Sequence, residues 1–163
     1  DYFGNDIPFI KIPDMHNKMF ILETTDNLSI EGAMSQNNKI LPKDSICISC
    51  IATVGLVSIT TKDSQTNQQI NSIILNNQIY REYLYFTLTI MNGYLNDLGS
   101  GGTATLNVNT STFSNIELVK PKEDITSYEL SLCLKHLFAI TYPYNINEQD
   151  SYLRHFEIIN PNK

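Results

Sequence analysis

Apolar residues recur in this chain at two spacings, one for strands and one for helices. From Leu41 to Leu75 they come in short β-branched runs: Ile46, Ile48 and Ile51, then Leu56, Val57 and Ile59, with Gly55 as a tight turn between them. Lys43-Asp44 and Thr60–Thr66 bound these runs with turn chemistry. A polar loop then leads to a return strand at Ile70–Leu75, so the stretch reads as the nucleus of a sheet. Upstream, Gly4-Asn5 predicts a turn and Ile7–Ile12 a strand closed by Pro13-Asp14. Pro8 predicts an edge or first-residue place for that strand, because proline cannot donate to a ladder. Residues 14–40 are irregular and polar, with a short helix around Leu28–Met34.

Downstream the period changes. Asn76-Asn77 can cap a helix from about Gln78 to Leu95. Leu84, Leu88, Met91 and Leu95 make one apolar stripe, and Ile79, Tyr83, Phe86 and Ile90 a second, so protein should wrap most of this helix. Leu98–Gly102 supplies the stop. Thr103–Val108 reads as extended, Ser111–Asn115 as a turn or single helical turn, and Ile116–Val119 as a closing strand ended by Lys120-Pro121. Thr126-Ser127-Tyr128-Glu129 is a capping-box pattern opening a second helix to about Tyr142, before a polar tail. The elements add up to an α+β domain: a twisted, mostly antiparallel sheet with one buried helix and a C-terminal helix.

Composition narrows what such a domain can do. At 163 residues the chain suits one compact domain. Charged residues make 17%, below the usual share of roughly a quarter. Asn, Ser, Thr and Gln take their place, which suits recognition by hydrogen bonds over long-range attraction. The net charge of −6 has the wrong sign for a simple nucleic-acid binder. Three cysteines, Cys47, Cys50 and Cys133, form no disulfide-framework spacing and predict a reducing, cytoplasmic setting. No apolar run nears the roughly 20 residues of a membrane span, and there is no basic-then-apolar leader. The chain opens at Asp1, directly into folded-looking sequence, which predicts a fragment truncated at its N-terminal side.

Catalytic chemistry is poorly represented. Cys47 and Cys50 have C-x-x-C spacing, but on a strand positions three apart face opposite ways and no second Cys/His pair stands at ligand spacing. Both read as structural. His136 and His155 have no motif that joins them to Cys133 or Ser131. Neither a metal site nor a nucleophile–base pair is predicted.

The order of motifs resembles the target-recognition domain of type I restriction–modification specificity (S) subunits. It is carried by Gly4-Asn5-Asp6-Ile7-Pro8-Phe9-Ile10, the strand run Ile46–Gly55, and Asn67-Gln68 before Ile70–Leu75. The helix at Gln78–Leu95, Gly99–Thr103, and Ile116–Pro121 complete the order over roughly residues 2–121. Residues 122–163 would then be a C-terminal helix and tail, packed on the domain or facing a partner. They are shorter than the long coiled-coil helix of the family and keep no sustained heptad.

The resemblance implies sequence-specific recognition of double-stranded DNA without catalysis. Methyl donor and ATP would belong to methyltransferase (M) and restriction (R) subunits, leaving this chain without a cofactor; self-association as a half-length S subunit is a further implication. Asn and Gln amides pair with adenine edges, Arg and Lys with guanine, and hydroxyls with either. That chemistry points to Thr60, Thr61, Lys62, Gln65 and Thr66, and to Ser100, Gly101 and Thr103, where glycines admit a phosphate to the backbone. Lys11, His16 and Lys18, around Asn17, form a third candidate loop. Asn67-Gln68 is expected to fix a turn. Acidity keeps a second reading open: an interaction module that docks a methyltransferase subunit with little DNA affinity of its own. A small hydrolase or transferase ranks last.

Overall fold

The computed structural model describes residues 2–76, 81–100 and 105–118. The chain divides into two units, Asp1–Ile116 and Glu117–Lys163. Among the described residues, the first unit holds eight short strands in two four-stranded sheets. Strands β1 (Phe3–Gly4), β4 (Asp26–Leu28), β2 (Ile7–Ile10) and β7 (Gln65–Thr66) lie side by side in that order in the first sheet. The second runs β3 (Phe20–Ile21), β6 (Val57–Thr60), β5 (Ile46–Ser49), β8 (Ile70–Ile73). Each sheet is antiparallel except for one parallel pair, β2 with β7 and β3 with β6. The predicted single sheet is thus two, and the chain passes back and forth between them.

Part of the neutral polar composition serves these strands and the passages between them. Ser45, Ser49, Ser58, Thr60 and Ser64 are all buried. Ser58 Oγ donates to the Lys18 carbonyl (2.7 Å), Thr60 Oγ1 to the Pro42 carbonyl (3.0 Å), and Ser49 Oγ accepts from the Leu56 N–H (2.9 Å). Short hydroxyls close backbone groups that a β-ladder would otherwise satisfy, so the crossings stay buried without orphaned donors. Between the sheets, Ile10, Ile12, Met15 and Ile21 pack with Cys47 and Ile70.

Three local expectations need correction. Pro8 lies in β2, which has a neighbour on both sides. It is tolerated because the register with β7 begins only at Phe9, one residue later. Two short helices, α1 (Ile12–Met15) and α2 (Ile30–Met34), precede the region predicted as one helix over 78–95. Within the described residues that region is two helices, α3 (Arg81–Ile90) and α4 (Asn92–Gly99). Thr87 and Thr89 hydroxyls bond back to the Tyr83 and Tyr85 carbonyls (both 2.8 Å), a bond that bends helices, and Asn92-Gly93 follows. Leu84 and Leu88 of the first predicted stripe and Phe86 of the second are buried, but Tyr83 is half-buried and Ile90 exposed, while Glu82 and Tyr85, outside both stripes, are buried. Finally, Ile116–Leu118 carry no strand. They come after α5 (Thr110–Ser114), and the Ile116 N–H bonds back to Phe113. The predicted C-terminal helix over 126–142 lies outside the described residues.

Candidate nucleic-acid interface

The strand directions of the second sheet give it two ends. At one, β3, β6 and β8 begin and β5 stops, so residues 16–19, 50–56 and 67–69 gather there. At the other, β6 runs into Thr61–Asp63 and β5 is entered from Lys43-Asp44. Of the residues expected to touch DNA, His16, Lys18 and Ser100 fall at the first of these ends and Thr60, Thr61 and Lys62 at the second.

At the first end, His16, Asn17 and Lys18 are exposed. Their loop is anchored from beneath by the Ser58 hydroxyl and by the Ile59 N–H, which donates to the Met19 carbonyl (2.7 Å). Ser100 joins the same end: the Asn107 N–H bonds to the Gly99 carbonyl, and Asn107 bridges to Ile51. Ser100 is exposed, its hydroxyl donating to the Asp97 carbonyl (2.7 Å). Gly101 and Thr103 lie outside the described residues. Asn67 closes its turn locally, accepting from the Gln69 N–H (3.1 Å) and donating to Gln69 Oε1 (3.0 Å).

The second end departs from the expectation of an open, readable loop over Thr60–Thr66. Thr60 is fully buried in β6, and Gln65 is buried in β7 with its amide donating to the Ala33 and Gln36 carbonyls (2.8 and 3.1 Å). Neither side chain faces outward, because the segment is a strand-bearing passage between sheets. Thr66 is half-buried opposite Ile10, and Thr61 donates to the Ile21 carbonyl. Lys62 remains exposed. Near it Asp63 accepts from the Lys43 N–H (2.9 Å), and Arg81 pairs with Asp44 and buried Glu82 while lying 5.6 Å from the Phe20 ring centroid. Burial alone pulls the Arg81 pKa down, but hydrogen bonds and charge from Glu82, then Asp44, hold it above its ordinary value.

Lys11 stands apart, in the first sheet's surroundings, paired with Asp26 and 5.7 Å from the Phe9 ring centroid. Sequence reasoning missed its neighbour Asp14. That buried carboxylate accepts from the Lys11 N–H (2.9 Å), the Thr25 N–H (2.9 Å) and the Thr25 hydroxyl (3.0 Å), fixing the start of α1 against β4. The available signal was the Lys11-x-x-Asp14 spacing at a helix start, hidden by the reading of Pro13-Asp14 as a strand end. Among the described residues, no group of His, Cys, Asp and Glu could hold a metal ion. Cys47 and Cys50 are free and buried. Burial pushes the Cys47 thiol up to about 12, against a smaller lowering from Ser72, and raises Cys50 in the same way.

The described residues thus form an α+β domain of two interleaved four-stranded sheets whose polar loops are anchored by hydrogen bonds. Over residues 1–139 the chain matches the type I restriction modification DNA specificity domain, and it belongs to that family. It is 61% identical over 127 residues to the HindI specificity subunit of Haemophilus influenzae, covering 77% of this chain and 28% of that one. To the MjaIX specificity subunit of Methanocaldococcus jannaschii it is 30% identical over 128 residues, covering 76% and 29%. The chain therefore spans less than a third of the length of these curated relatives. A chain in a solved structure on complex assembly and conformational transition of the type I R-M system has the same fold, with a TM-score of 0.62 and 16% identity, over 98% of this chain and 35% of that one. Among the described residues, no helix is long and apolar enough to cross a membrane.

Proposed function

We propose that this chain is a non-catalytic domain that reads a DNA sequence as part of a type I restriction–modification specificity subunit, in assembly with methyltransferase and restriction subunits that carry the catalysis. The family match over residues 1–139 is the observation that carries this reading. Contacts would come from His16, Lys18 and Ser100 at one end of the second sheet, with Lys62, and the half-buried Thr61, Thr66 and Lys11, as further contributors. Thr60 and Gln65, being buried, are left to hold the fold. The test is enrichment of duplexes from a random library by the protein purified with its methyltransferase subunit. A defined sequence should be enriched, and joint change of His16, Lys18 and Lys62 to Ala should weaken its binding at least tenfold. Retention of all duplexes alike would overturn the reading.

One observation favours docking of a partner subunit as a second role. Tyr2, Phe3, Ile30 and Met34 are each more than half exposed. They are neighbours, since β1 pairs with β4 and the Ser29 N–H bonds to the Tyr2 carbonyl at the start of α2. Clustered exposed apolar side chains mark interaction surfaces. Phe3→Ser with Ile30→Ser should abolish co-purification with the methyltransferase subunit; undiminished co-purification removes this role from the patch.

A further inference from the structure

Among the described residues, three non-glycine residues hold positive φ: Asn17 (56°), Asp44 (69°) and Ala52 (65°). Asn and Asp tolerate that region through local side-chain bonds, whereas alanine has nothing to offer in exchange. Ala52, in the turn between β5 and β6, is held there by its surroundings. Its N–H donates to the Leu106 carbonyl (2.9 Å), and the Gly55 N–H donates to the Ser49 carbonyl (2.9 Å). From α4, the Asn92 amide donates to the Gly55 carbonyl (3.0 Å) and the Asn96 amide to the Val54 carbonyl (3.4 Å).

Neighbouring strand, later chain and a helix thus all fix the backbone of one short turn. The side chains left outside are those of Ala52 and Thr53, both exposed. Costly backbone that the surroundings over-determine is a feature of ligand-contact sites. The electrostatic setting fits one ligand class. Residues 16–19, 50–56 and 67–69, which lie toward this end of the sheet, contain Lys18, His16 and exposed Gln68 but no carboxylate, in a chain of net charge −6. Asp97 in the last turn of α4 is the acid joined to this end, through Ser100. A polyanion approaching the molecule meets less repulsion here than its overall charge dictates.

We infer that the Ile51–Gly55 turn is a rigid DNA-contacting element, presenting the Ala52 methyl and the Thr53 methyl and hydroxyl to the edge of duplex DNA. The inference rests on the reading of the chain as a DNA-recognition domain. A threonine methyl can meet a thymine methyl, and its hydroxyl adapts to donor or acceptor. The test measures binding of the duplex enriched by the wild-type protein, purified with its methyltransferase subunit. Thr53→Glu places a carboxylate on the turn without touching a buried group; Asn38→Glu places one on an exposed residue of another segment. Thr53→Glu should lose at least tenfold in affinity while Asn38→Glu stays within twofold, both with the wild-type unfolding midpoint. Ala52→Gly, which keeps the positive φ and removes the methyl, should weaken binding two- to fivefold. If Thr53→Glu and Ala52→Gly both bind as the wild type does, the turn is not a contact and this inference fails alone. If the wild-type protein enriches no sequence, the recognition reading falls and takes this inference with it.

Discussion

The two ends of the second sheet handle the chain leaving a buried strand with different chemistry: at one β5 turns back into β6, at the other β6 passes on to the first sheet. At the end holding Lys62, Arg81 is paired with Asp44 and Glu82, while Asp63 accepts from the Lys43 backbone N–H. At the end holding Ala52, neutral amides answer backbone carbonyls through Asn92 and Asn96, and Asn67 closes its own turn. Pairing commits Arg81 at the Lys62 end, whereas the amide clamps leave the outward-facing Ala52 and Thr53 side chains uncommitted. On the proposed reading, the Lys62 end serves stability and the Ala52 end presentation.

The largest effect that tests this contrast is at Arg81. Replacing it with Met leaves Glu82 as a buried, unpaired carboxylate, a loss of about 3 kcal/mol. Chemical denaturation should show it as a lowered midpoint, and adding Glu82→Gln should restore part of the loss. DNA affinity, measured where the variant remains folded, should stay within twofold. A stability change under about 1 kcal/mol would mean that the pairing contributes little and the contrast is misdrawn.

Next in size is Gly55→Ala at the other end. Gly55 has φ +89°, and an added Cβ would stand 2.4 Å from Asn92 Nδ2. Positive φ and the displaced amide together should cost about 2 kcal/mol. If the end is a clamp for presentation, DNA affinity should fall more than stability explains, because the amide that fixes the turn has been pushed away. Loss of stability with unchanged affinity would make the clamp purely structural.

Cys47 offers a smaller effect, from the core that both ends share. Its thiol is pushed up to about 12 by burial, so the unfolded chain loses this proton at lower pH than the folded one does. The folded state then binds more protons over that interval. Its contribution is intact below the ordinary thiol pKa, near 9, and is lost as pH rises toward 12. Stability should fall by up to about 1.4 kcal/mol per pH unit there from this group alone. Cys47→Ala should flatten the slope between about pH 9 and 10.5 in thermal melts, although it lowers stability at about pH 8. An unchanged slope would mean that other groups set the alkaline limit.

The α+β class was legible in the sequence because β-branched runs and helical stripes are local patterns: Ile46–Ser49, Val57–Thr60 and the Leu84–Leu88 stripe of α3 lie where periodicity put them. The division into two sheets was not, because it depends on which strand each one meets across the chain. Gln65-Thr66 joins β2, far earlier in the chain, and no local signal announces that pairing. The same reason hid the fate of Thr60 and Gln65. Their residue types fit base reading and buried hydrogen bonding equally well, and only burial separates the two. Asp14, Asn92 and Asn96 were passed over because their partners are mostly carbonyls and N–H groups, which every sequence has everywhere.

The smallest effect discriminates most finely between the ends. Lys18 and Lys62 are both exposed lysines on loops beside the same sheet, so each is equally able to neutralise one phosphate. Each phosphate contact removed should reduce the salt slope of binding by roughly 1. If the Ala52 end presents the reading surface, Lys18→Ala should lower the slope by about that amount, with a modest affinity loss at fixed salt and the same enriched sequence. Lys62→Ala should lower it less, because Asp63 and the Asp44–Arg81–Glu82 cluster keep negative charge beside it. Titrating the enriched duplex at several salt concentrations reads both slopes directly. Equal reductions would mean that DNA engages both ends of the sheet, and a reduction for Lys62→Ala alone would reverse their roles.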